Sequence, residues 1–164
     1  MLTEYITYLE DLVNANVQIT AAGGAEFRII GIEEASGAVV SEIPQNGYFV
    51  HGILPSMRYT WHEDHHVSKL EAGIKIGKMF VSGDSQTQIA ALKDVWELTI
   101  DLIEKMLYDS QNEDVFFSNG FNKADELFME PDLITGDTCY VSVTAMWSPS
   151  AFKDFCKPNP NKWI

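Results

Sequence analysis

Three of the four histidines stand within five residues, His62-Glu63-Asp64-His65-His66. The stretch satisfies HExxH, a spacing that on a helix brings two imidazoles to one zinc ion while the glutamate acts as base. That chemistry needs residues four apart to share a helix face. The preceding residues argue against a helix: Met57, Tyr59 and Trp61 alternate with Arg58, Thr60 and His62, the period of a half-buried strand. Pro55 also lies close before His62. No third ligand presents itself, since Glu71 is too near and Glu97 stands without a second motif. The stretch therefore reads as a polar hairpin tip whose histidines face solvent or a neighbouring subunit. His62 and His66 are the only candidate metal ligands, and a zinc-dependent hydrolase using His62, Glu63 and His66 is the alternative reading.

Other residue types offer less. Glu33-Glu34, Asp125-Glu126 and Glu130 with Asp132 are short acidic clusters of the kind that can transfer protons, but on loops of an acidic protein they read as solvated surface. Gly73 and Gly77 are followed by neither GK[ST] nor GxGxxG, so no phosphate loop is expected. Ser148 and Ser150 lack a GxSxG setting. Cys139 and Cys156 have no CxxC spacing and read as reduced thiols. No catalytic residue and no cofactor are expected.

Composition sets wider bounds. The chain has 164 residues, enough for one domain with a sizeable core. Lys plus Arg number 11 against 24 for Asp plus Glu, a formal net charge of -13. So acidic a surface repels phosphate backbones, which argues against a nucleic-acid binder, and no sequence-specific nucleic-acid binding is expected. No apolar run approaches the roughly 20 residues of a membrane span, and the N-terminus lacks the pattern of a secretory signal.

The elements that must position these residues are organised around Ser82 to Asp109. Ile89, Leu92, Trp96, Ile100, Ile103 and Leu107 recur at helical spacing, and Val95, Leu98, Leu102 and Met106 widen that face. Ser85 with Gln88 forms a capping-box pattern, and Asp84 offers a second cap oxygen. A first helix is expected over Leu2 to Val13. Strands are expected over Val17 to Thr20, Glu26 to Glu33, Tyr48 to Leu54 (closed by Pro55), 57–61, Ile74 to Val81, Val115 to Phe117 and Thr138 to Trp147. Residues 34–47 read as a loop, and 151–155 as one helical turn. The fold class is α+β, a mainly antiparallel sheet packed against one long helix and an N-terminal helix. One domain is expected over 1–155, followed by an extended C-terminal arm over 156–164. The aromatics Phe116, Phe117 and Phe121 sit in a polar-punctuated segment and divide between core and interface. Trp163 and Ile164 on the proline-bearing tail read as interface, together with His65.

Three pieces stand out together: Gly31-Ile32-Glu33-Glu34, the run GIKIGKMFVSGDSQTQIAALKDVWELTIDLIEKMLYDSQ, and EPDLITGDTCYVSVTAMW. In combination they resemble small structural proteins of phages and prophages of Bacteroides and relatives. The order of elements is similar to that of neck and tail-terminator proteins. The resemblance implies an α+β subunit of a homo-oligomeric ring at the head-tail neck or tail end. It further implies a virion component assembled in the host bacterial cytoplasm, with itself and adjoining neck or tail proteins as partners and no catalytic residue. The histidine stretch is not part of the pattern. An acidic channel wall would let DNA pass without adhering. Besides the hydrolase, a monomeric cytosolic binding domain is the third reading.

Overall fold

The computed structural model describes residues 2–31, 47–62, 65–112, 124–135 and 139–149. Three helices, α1 (Leu2–Ala15), α2 (Val17–Ala21) and α3 (Ser85–Asn112), pack on one face of a five-stranded sheet. Its strands are β1 (Ala25–Ile30), β2 (Tyr48–His62), β3 (His65–Met79), β4 (Ala124–Ile134) and β5 (Tyr140–Pro149). They lie in the order β1-β2-β3-β5-β4, and only the β1–β2 pair is parallel. This is the α+β arrangement that the periodicities predict.

Alternation decides the two faces of the sheet. Val50, Ile74, Ile76, Val141 and Val143 join the helices in the main core, with Leu9 and Val13 from α1 and Val95, Leu98, Leu102 and Met106 from α3. Burying each such side chain contributes roughly 1.5–3 kcal/mol. The Tyr5 hydroxyl reaches Ile53 O at 3.3 Å and Gly73 O at 3.2 Å, pinning α1 to both central strands. Burial pushes its pKa up, against the pull of the Gly73 bond, so it remains a donor.

Several elements differ from the sequence expectation. Val17 to Thr20 is helical, because Asn16 Oδ1 accepts the Ile19 N–H at 3.0 Å and Ile19 is thereby delivered to the core. Pro55 does not close its strand. β2 continues to His62, with a register shift between Ile53 and Ser56. β1 pairs with β2 only as far as Ile53, so the proline lies where that side of β2 carries no β1 partner. The segment before Thr138 holds a full strand, β4, that the sequence reading missed. Among the described strands it lies at the sheet edge, the place where Pro131 is tolerated. The cap of α3 is Asp84 rather than Ser85, its Oδ1 accepting the Gln86 N–H at 2.9 Å and the Thr87 N–H at 3.3 Å. The expected Val115 to Phe117 strand, the 151–155 turn and the 156–164 arm lie outside the described residues, as does the expected loop except Gly47.

Candidate interaction surface

The histidine stretch falls on strand backbone. His62 ends β2 and His65 begins β3, paired directly, and His66 pairs with Trp61. His62 and His66 therefore occupy register positions of opposite parity, and the helical face that HExxH chemistry requires is not formed. Glu63 and Asp64 lie outside the described residues, as do Phe116, Phe117, Phe121, Trp163 and Ile164. Among the described residues, no three His, Cys, Asp or Glu side chains come together as a metal-holding group. No described helix is long and apolar enough to cross a membrane.

The sheet face away from the helices carries a polar row. Register places Arg28, His51, Lys75, Thr144 and Glu130 directly beside one another across all five strands. The next row holds Glu26, Phe49, Gly77, Ser142 and Asp132. Lys75 is only 2% exposed, with its Nζ 3.7 Å from Asp132 Oδ2. Burial lowers the Lys75 pKa, which the Asp132 carboxylate partly restores. Burial also takes His51 down to about 4, with Lys75 and Arg28 adding to the effect, so the imidazole is neutral. Burial pushes Tyr140 up, and Asp132 adds to it. His51 Nδ1 and Ser142 Oγ are buried without hydrogen-bond partners among the described residues. A nucleophile–base pair needs a hydrogen bond between its members, and among the described residues Ser142 has no hydrogen-bonded base. The rows are polar, with His51, Lys75 and Ser142 buried at their centre and Arg28 and Glu130 exposed at the ends.

The helix side presents a different chemistry at its β4 margin. The helical stripe read from the sequence is wider than the core it fills. Val95, Leu98, Leu102 and Met106, expected only to widen the face, are its fully buried centre. Ile89 (67% exposed), Trp96 (37%) and Ile100 (36%), expected at the centre, lie on its flank. The orientation of α3 follows from its ties. Lys78 Nζ on β3 donates to Asp94 Oδ2 at 2.6 Å, and Tyr8 OH on α1 donates to Asp109 Oδ2 at 2.7 Å. In the Lys78 pair, burial lowers the lysine pKa, but the Asp94 bond and Tyr48 outweigh it and the net shift is upward. These ties mark the flank towards α1. At about 100° per residue, Ile89, Trp96 and Ile100 fall on the opposite flank.

α1 packs on β1 and β2, and α3 packs on β3 and β5. The free flank of α3 therefore faces the β4 margin. β4 exposes large apolar side chains on both faces: Leu127 (47%) and Leu133 (46%) lie on the helix side, and Phe128 (55%) and Ile134 on the other, flanking Glu130 and Asp132. Seven large apolar side chains are thus exposed along one helix flank and the adjoining edge strand, where monomers usually place polar groups. Sequence reasoning could have found this flank from the width of the stripe, because ten apolar positions exceed what one sheet contact covers. It could not have found β4, whose Glu130-Pro131-Asp132 reads as a loop.

No family model matches the chain, and no curated protein matches it.

Proposed function

We propose that this protein acts by self-association, as a non-enzymatic subunit of a homo-oligomeric ring in the neck or tail of a phage particle. The observation that carries the reading is the uncovered apolar margin formed by Ile89, Trp96 and Ile100 of α3 and Leu127, Phe128, Leu133 and Ile134 of β4. Leaving so much apolar surface in water is unfavourable by roughly 25 cal/mol per Å2, and a partner surface recovers it. Pro131 removes one backbone donor from the open edge, which favours side-chain packing over addition of a further strand. The resemblance of the strand-to-helix run to phage neck and tail proteins gives the reading its biological setting, and the net charge of -13 suits a wall past which DNA slides.

Size-exclusion chromatography with light scattering over a concentration series tests the assembly. The expected mass is a multiple of the monomer, falling to the monomer in a Trp96→Asp, Leu133→Asp double variant that keeps its circular dichroism spectrum. A wild-type chain that stays monomeric at every concentration would sink the reading. The virion setting is tested separately by gene neighbourhood. Adjacent portal, capsid and tail genes support it, and metabolic neighbours count against it.

A further inference from the structure

The ribbon that carries the histidines stands apart from the rest of the sheet. β1 pairs with β2 only as far as Ile53, and β5 pairs with β3 only from Ala72. Residues 56–62 and 65–71 therefore pair with each other alone among the described strands. A two-stranded hairpin without a third strand is marginally stable in water. The last register pair of this one is His62 with His65, separated in the chain by Glu63 and Asp64. Direct partners in an antiparallel ladder share one face, with Cβ atoms about 4.5–5.5 Å apart. Two imidazoles based at that spacing can reach one ion at the roughly 2.0–2.1 Å of a metal–nitrogen bond. We propose that His62 and His65 form a cross-strand chelate for a divalent first-row transition-metal ion, which clamps the tip of the β2–β3 ribbon.

Chemistry and charge select the ligand. Imidazole suits nickel, copper and zinc, whereas magnesium and calcium prefer oxygen donors. The two residues between the histidines are both acidic, in a chain of net charge -13, which favours a cation over an anion. The nearest basic residues of the ribbon, Arg58 and Lys69, pair with each other four positions down the ladder. At 3.3 Å per residue that is about 13 Å away, beyond the screening length of about 8 Å in physiological salt. The pair is not the HExxH pair. His66 is the register partner of Trp61 and has the opposite parity, so it takes no part. The fourth histidine, His51, is buried within the sheet and offers no competing site. Catalytic zinc sites use three protein ligands, so two histidines make a clamp rather than a reaction centre.

Titration calorimetry of the untagged full chain with nickel chloride, near neutral pH, tests the site. One ion per chain is expected. His62→Ala and His65→Ala should each weaken binding at least about tenfold, because the second ligand of a chelate binds intramolecularly. His66→Ala should leave the affinity unchanged within about twofold, since its parity keeps it off the chelating face. Only the neutral imidazole ligates, so affinity should fall as pH drops through about 6.5. A tenfold excess of magnesium should displace nothing. Hydrogen exchange reads the clamp: nickel should add protection to the backbone amides of 56–71 in wild type and not in His65→Ala. A wild type that takes up no nickel at millimolar concentration would overturn the site. So would a loss in His66→Ala equal to that in His62→Ala, which assigns the ion to the i, i+4 pair, or displacement by magnesium, which assigns it to carboxylates. Binding without added amide protection would overturn the clamp.

Discussion

Tyr8 OH donates to Asp109 Oδ2 at 2.7 Å, joining the first helix to the last turn of α3 across 101 residues of sequence. Asp109 is buried, and a carboxylate near a helix C-terminus meets the negative end of the helix dipole. Its other oxygen is held by Lys105. Tyr8→Phe removes one of two donors from a buried charge and is expected to cost about 1–2 kcal/mol in urea unfolding with an unchanged m-value. Asp109→Ala should cost at least as much. Full stability in Tyr8→Phe would show that Lys105 alone satisfies the carboxylate.

Gly77 is expected to resist substitution. A Cβ there would stand 2.1 Å from the Phe49 ring and 2.8 Å from Val141 O. The ring cannot retreat freely, because it meets Tyr140 edge-on at 5.4 Å and lies 5.0 Å from the His51 ring. Gly77→Ala should lower stability by about 1–3 kcal/mol or more. Gly31, where a Cβ would meet nothing within 4 Å, supplies the control, and Gly31→Ala should change the thermal midpoint little.

How far the sequence reaches can be judged from particular residues. Strong periodicity placed α1 and α3, each buried on one side, and an unbroken strand-forming run placed β5, which is buried on both faces. Periodicity failed where local and tertiary preferences conflict. Val17 and Ile19 favour strands by type, yet one side-chain cap at Asn16 made a helix. Pro55 reads as a terminator, and the acidic stretch around Pro131 as a loop, because a sequence does not reveal which side of a strand lacks a partner. The candidate surface was half legible: its helix residues were named, but assigned inward, and its strand residues were missed.

The inward and outward halves of α3 can be separated by truncation. Leu98 is fully buried, so Leu98→Ala is expected to cost about 2–5 kcal/mol through lost transfer energy and the cavity left behind. Ile89→Ala should cost under about 0.5 kcal/mol in dilute protein, since its side chain already lies in water. The same Ile89→Ala should weaken association. Equal destabilisation by both would place Ile89 in the core and remove it from the proposed margin.

The buried row makes stability depend on pH through His51. Its folded pKa is lowered to about 4 from 6.5, by burial first and then by Lys75 and Arg28. Between these values the unfolded chain binds a proton that the folded chain does not. Acidification therefore favours unfolding, and the contribution is present above about pH 6.5 and lost as pH falls towards 4. Over the full window the stake is on the order of 3 kcal/mol. Carboxylates titrate in the lower part of this window, so the histidine must be isolated by a variant. His51→Leu has no proton to gain and should flatten the slope of unfolding free energy between pH 6.5 and 5, where most carboxylates remain charged. The charges facing this position, Lys75 with its Asp132 partner and Arg28 with Glu26, are unchanged in the variant. An undiminished slope would mean that the imidazole is protonated in the folded protein, and that Asp132 or Glu26 rather than burial governs the row.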